Sequence, residues 1–151
     1  MTDSNFKANQ LTASFIVEQI YGSATASESD ILGLLAEDVL VSEWTHSGVV
    51  TKGIAQFNEV FIEPAEGAFT ECSHQILNAI TAADHVTICG IFQARFIGKF
   101  LGIEPHGNMV SWEIRDVFDL CDGKITRAMY AQDTLQLAKQ LGAISASQAP
   151  W

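Results

Sequence analysis

Residues 112–121, WEIRDVFDLC, alternate in step with a β-strand, whose side chains point to opposite faces in turn. Trp112, Ile114, Phe118 and Leu120 share one face, and Asp116 interrupts that apolar row. The dipeptide Asp122-Gly123 predicts a type I′ hairpin, since glycine tolerates the positive φ such a turn needs, and a return strand follows over 124–131. Upstream, 70–81 and 85–97 predict two more strands joined by a turn at 82–84. In the second of these Val86, Ile88, Gly90, Phe92, Ala94 and Phe96 fall on one face, which is expected to be buried.

The first sixty residues carry a helical period instead. Over 9–21 the apolar anchors are Leu11, Phe15, Ile16, Val17 and Ile20, and Gly22 with the small residues SATAS closes the helix. A second helix fits 28–36, with Ile31, Leu32, Leu34 and Leu35 on its buried face and Ser27 or Ser29 as cap. VLVSEWTHSGVV reads as one strand bent near Ser47 and Gly48. A third helix over 53–62 is anchored by Ile54, Phe57, Val60 and Phe61 and ends before Pro64 and Gly67. The last element is DTLQLAKQLG, with Asp133 as N-cap, Gln136 completing a capping box and Gly142 as stop. Helices followed mainly by long antiparallel strands predict an α+β fold, a curved sheet closing over a pocket. Residues 1–151 are read as a single domain, with 1–8 and 143–151 as flexible tails.

The chain has 151 residues, 48% hydrophobic and 17% charged, which suits a packed core rather than disorder. Its net charge of −10 argues against nucleic acid as a partner, because phosphates would be repelled. No apolar run approaches the ~20 residues that span a bilayer, and the opening MTDSNFKANQ lacks the features of a signal peptide, so a cytoplasmic protein without a membrane partner is expected. Cys72, Cys89 and Cys121 show no metal-ligand spacing and read as buried thiols. The four histidines have no such spacing either, so no metal is expected.

Candidate chemistry rests on carboxylates. An isolated carboxylate among apolar side chains is costly to ionise, so Asp116 is either a proton donor with raised pKa or the partner of Arg115, Arg95 or Arg127, unless its face opens to solvent. Glu43 follows Val39 and Val41 on one strand face and either projects into a pocket as a base or lies at an exposed strand end. Asp133 is a helix cap by position. Alternation through Ile125, Arg127, Met129 and Ala131 also delivers it to a pocket mouth. His46 and His74 are candidate proton shuttles or ordinary core histidines, while His85 and His106 read as turn residues. Trp44, Phe92, Phe96, Trp112 and Met129 either line a pocket for a flat apolar ligand or fill the core. No phosphate loop, nucleophile elbow or dinucleotide fingerprint is present, which leaves acid/base chemistry without a cofactor, or binding alone.

The segment from Gly98 to Gly142 resembles the C-terminal signature of SnoaL-like polyketide cyclases. Gly102-Ile103-x-Pro105-x-Gly107, Asp122-Gly123-Lys124-Ile125, Asp133 and Gln140-Leu141-Gly142 match it in order. The resemblance implies the nuclear-transport-factor-two-like cone, a curved antiparallel sheet around a deep pocket with about three N-terminal helices, usually in homodimers. It implies that Asp133 is the acid/base of an intramolecular aldol closure. Through the related ketosteroid isomerases it likens Asp116 to the oxyanion-side acid and Glu43 to the general base. Two places depart from the signature: Ala94-Arg95-Phe96 stands where Gly-Thr-His is common, and Arg127-Ala128-Met129-Tyr130 replaces the usual Glu-x-Trp. The implied activity is cyclisation or proton-shift isomerisation of a small apolar carbonyl compound. The alternatives are water addition of the epoxide hydrolase or dehydratase kind, with Glu43 activating the water, and a non-catalytic ligand-binding dimer.

Overall fold

The computed structural model describes residues 2–22, 28–43 and 48–145. Helix α1, Asp3–Phe15, runs into a π-helical segment, Ile16–Tyr21; helix α2 spans Glu28–Leu34. Strand β1, Leu35–Glu43, and strand β2, Val50–Lys52, precede helix α3, Ile54–Phe57, which continues as a π-helical turn, Asn58–Ile62, and a 3₁₀ turn, Glu63–Ala65. Four long strands follow: β3 Phe69–Thr81, β4 His85–Phe96, β5 Met109–Cys121 and β6 Lys124–Gln132. Helix α4, Thr134–Gln140, ends the ordered elements.

The strands form one curved, open sheet in the order β2-β1-β6-β5-β4-β3. All neighbours are antiparallel except β1 and β6, which run parallel. That parallel pair is the one exception in an otherwise antiparallel sheet. It arises because β1 belongs to the N-terminal half and reaches β6 only through a long crossover, as parallel neighbours must. The strand expected over 39–50 is two strands paired as a hairpin, Leu40 facing Lys52. Asp122 and Gly123 have φ of 50° and 76°, both positive as the β5–β6 turn requires.

Residues 3–8 form the first turns of helix α1. Polar contacts explain both their order and the helix's orientation. Asn5 Oδ1 accepts from the Asp122 amide at 2.9 Å, and Asn9 Oδ1 from the Gly123 amide at 2.9 Å. Thr12 Oγ1 donates to the Gly123 carbonyl at 2.7 Å. Asn9 and Thr12 are therefore buried, while the expected anchors Leu11 and Phe15 face outward. Satisfying the hairpin's backbone groups outweighs burying two apolar side chains.

The sheet's concave face packs under the helices, where Ile16, Phe57, Phe61, Val86, Ile88, Phe118 and Ile125 join one apolar core. Trp112, Ile114, Asp116, Phe118 and Leu120 are all buried, as the alternation of β5 demands. Cys72 and Cys121 are exposed and Cys89 half-buried, so buried thiols are not what these strands provide. Cys121 follows inward-facing Leu120 and so points out. Among the described residues, no helix is long and apolar enough to cross a membrane.

Candidate active site

Sheet register brings the candidate groups together. Asp116 on β5 lies opposite Tyr130 on β6, and Tyr130 lies opposite Glu43 on β1. On the other side Asp116 faces Ile88 on β4. Two residues away, Ile114 pairs with Gln132, and farther along β5 Trp112 pairs with Phe92, which pairs with His74 on β3.

All of these but Ile88 line a cavity of about 270 Å³ on the concave face. Helical side chains roof it: Ile16, Ile20 and Tyr21 from the first helix, Ile31 and Leu34 from α2, Phe61 beyond α3 and Leu137 from α4. Tyr21 reaches inward because the segment is π-helical. Hydrogen bonds spaced five residues apart bring Ile16 and Tyr21 to the same side, which α-helical winding would not do. Aromatic rings run continuously around the carboxyl, Phe92 to Trp112 at 4.8 Å, His74 to Phe92 at 5.2 Å, Tyr21 to His74 at 4.8 Å and Phe118 to Tyr130 at 5.8 Å between centroids.

Asp116 is 4% exposed, and Tyr21 Oη donates to its Oδ2 at 2.6 Å. Its other oxygen, Oδ1, is buried without a hydrogen bond. Burial raises the Asp116 pKa to about 7; the Tyr21 hydroxyl and the nearby Ala131 backbone amide oppose that rise, and Glu43 adds to it. Burial and the neighbouring carboxyls also push the Tyr21 and Tyr130 phenols well above their usual value, so both remain protonated donors. Burial lowers the His74 pKa, which keeps its imidazole neutral at pH 7. Gln132 Nε2 donates to Glu43 Oε1, fixing that half-buried carboxylate at the cavity wall.

The arginines named as partners for Asp116 are engaged elsewhere: Arg95 with Glu71 at 2.7 Å, Arg115 with Glu113 at 2.7 Å and Arg127 with Asp119 at 3.8 Å. Among the described residues, no lysine or arginine lines the cavity. Among the described residues, no three His, Cys, Asp or Glu side chains form a group that would hold a metal ion.

Of the residues singled out from sequence, Asp116, Glu43, His74, Phe92 and Trp112 meet in this cavity. Trp44 and His46 lie outside the described residues. Phe96 is fully buried against Phe69 and His106, in the core rather than at the cavity wall. Asp133 is exposed, and its Oδ1 accepts from the Gln136 amide at 2.9 Å as a helix cap. It does not line the cavity. The capping box is only half formed, because Gln136 Oε1 turns to the Glu113 amide at 3.0 Å.

Met129 and Asp133 miss the cavity for one reason. The β5–β6 register shifts between Asp119 and Leu120, so β6 gains a residue after Ile125. Ile125 points inward, but Ala128, Tyr130 and Gln132 do so thereafter, and Met129 turns to the other face. Strict alternation from Ile125 therefore overlooks Tyr130 and Gln132. Tyr21 was overlooked because its inward direction depends on π-helical winding.

The family model of SnoaL-like polyketide cyclases matches residues 16–141. A protein from Jannaschia sp. CCS1, assigned as a SnoaL-like polyketide cyclase, superposes with a TM-score of 0.75 at 20% identity, over 96% of this chain and 98% of that one. One from Xanthomonas campestris pv. campestris, assigned as a polyketide cyclase, gives 0.70 at 21% identity over 88% and 98%. A phenazine biosynthesis-related protein from Pseudomonas aeruginosa gives 0.68 at 17% identity over 96% and 90%. At such identities these likenesses establish the fold alone. No curated protein sequence matches the chain significantly.

Proposed function

The chain belongs to the SnoaL-like polyketide cyclase family, and from that premise we propose that it is a cofactor-independent acid/base enzyme acting on a small apolar carbonyl compound. The Glu43 carboxylate, oriented by Gln132, takes a proton from the carbon next to the carbonyl. Neutral Asp116 donates a hydrogen bond from Oδ1 to the oxygen that becomes the enolate. The enolate then closes on a second carbonyl of the same molecule, an aldol cyclisation, or regains its proton at another carbon, an isomerisation.

Asp116 is the observation that carries this reading. Tyr21 engages Oδ2, Oδ1 has no hydrogen bond, and burial holds the pKa near 7. A carboxylic acid kept neutral in an apolar site is a strong donor to a developing oxyanion, and one such donor contributes ~10²–10³-fold to rate. A positioned general base adds ~10²–10⁴-fold. Asp133 keeps the capping role that its exposure and its bond to Gln136 support. A carboxyl whose pKa burial displaces upward, at the wall of a cavity, marks a candidate site for chemistry.

The test is proton exchange at the α-carbon of aryl alkyl ketones in D₂O, followed by NMR. The wild-type protein should catalyse exchange, with a rate that falls above pH 7 as Asp116 ionises. Glu43→Gln and Asp116→Asn should each slow exchange at least 100-fold with melting transitions still cooperative. Exchange in Glu43→Gln within twofold of wild type would remove Glu43 as the base.

A further inference from the structure

A second cavity, of about 220 Å³, adjoins the first. Ile31, Glu43, Phe61, Tyr130 and Gln132 line both, so an inner and an outer lobe share one boundary, a waist that holds Glu43. Asp116 lines only the inner lobe; Leu32, Phe57 and Ile62 line only the outer one. Apart from Glu43 and Gln132 at the waist, and the Tyr130 hydroxyl, the outer lobe is apolar. Among the described residues, the Asp, Glu, Lys or Arg side chains lining the two lobes are Asp116 and Glu43, both acids.

This arrangement divides the labour along a bound molecule. The inner lobe supplies the donor for a carbonyl oxygen, and the waist supplies the base for the adjacent carbon. Among the described residues the outer lobe offers no polar group beyond the waist, so what packs on Leu32, Phe57 and Ile62 gains by leaving water. An anion in either lobe meets these carboxyls and is stripped of water beside them, which costs free energy.

We infer that the substrate is an uncharged two-part molecule, a ketone or ester head seated beside Asp116 with an apolar tail in the lobe walled by Leu32, Phe57 and Ile62. The inference rests on the proposed function for the head and on the adjoining lobes for the tail. Leu32 and Ile62 are then specificity-determining residues, because each is half-buried on the outer wall and neither reaches Asp116's lobe.

Dissociation constants of 1-phenylalkan-1-ones from acetophenone to octanophenone, measured by titration calorimetry, test this. Wild-type protein should bind two- to fourfold more tightly per added methylene until the outer lobe fills. Leu32→Trp and Ile62→Trp, which fill the lobe, should lose that gain while holding acetophenone within about twofold. Leu32→Ala, which enlarges it, should extend the gain to longer chains. The ω-carboxylate 8-oxo-8-phenyloctanoate should bind at least tenfold more weakly than octanophenone. An unchanged chain-length pattern in the tryptophan variants overturns the tail assignment, and so does no shift in Leu32→Ala should those variants fail to fold. Equal binding of the carboxylate overturns the uncharged substrate. Because binding and not turnover is read, loss of exchange chemistry with this pattern intact would count against the proposed function alone.

Discussion

Tyr21 and Asp116 lie 95 residues apart in sequence and 2.6 Å apart as donor and acceptor, a helix hydroxyl closing over a carboxyl buried in the middle of the sheet. The bond ties the roof of the cavity to its floor. It also occupies one carboxyl oxygen, while Oδ1 is buried without a hydrogen bond.

Removing that bond should be visible in the titration of Asp116. The Tyr21 hydroxyl favours the ionised form, so Tyr21→Phe should raise the pKa further above 7. Carbon-13 NMR of the side-chain carboxyl would show the midpoint move to higher pH. Stability at pH 5 should fall by about 1–3 kcal/mol, the usual cost of leaving a buried polar group without its partner. A midpoint that moves down or stays still would contradict the assigned bond.

Asp116 should also make the fold less stable in mild alkali. Its pKa in the folded protein is about 7 against an ordinary 3.8, so the folded state holds the proton more tightly than the unfolded one. That advantage is complete below pH 4 and is lost as pH rises through 7. At 1.36 kcal/mol per pH unit the interval is worth at most about 4 kcal/mol. Urea unfolding at pH 5 and pH 8 should show wild type losing stability across that range and Asp116→Asn losing much less of it.

Asp133→Ala separates capping from catalysis. The lost bond to the Gln136 amide should lower stability by about 1 kcal/mol. Ketone exchange should stay within about twofold of wild type. A 100-fold loss of exchange with unchanged melting would return Asp133 to the chemistry.

Gly90 on β4 pairs with Ile76 on β3, where the register of the two strands shifts. A Cβ there would lie 2.7 Å from the Gln75 carbonyl oxygen, a backbone atom that cannot swing away. Gly90→Ala should therefore destabilise the fold by about 1–3 kcal/mol, measured by denaturant midpoint, through displacement of β3.

What the sequence determined by itself was whatever depends on neighbours along the chain. Alternation in β5 gave the buried face that includes Asp116, and Asp122-Gly123 gave the hairpin. The motifs from Gly102 to Gly142 pointed to a family that the match over residues 16–141 establishes. Glu43 was legible as a candidate, and its outcome was open because its strand's partner was unknown.

Tertiary structure decided the rest. One extra residue in β6 turned Tyr130 and Gln132 inward and Met129 outward, and a shift of that kind is set by pairing with β5. π-helical winding aimed Tyr21, and the hairpin's unsatisfied amides drew polar Asn9 inward in place of Leu11. Side-chain periodicity is a local property, whereas the direction of a residue after a bulge, and the partner of a buried carboxyl, are fixed only when distant segments meet.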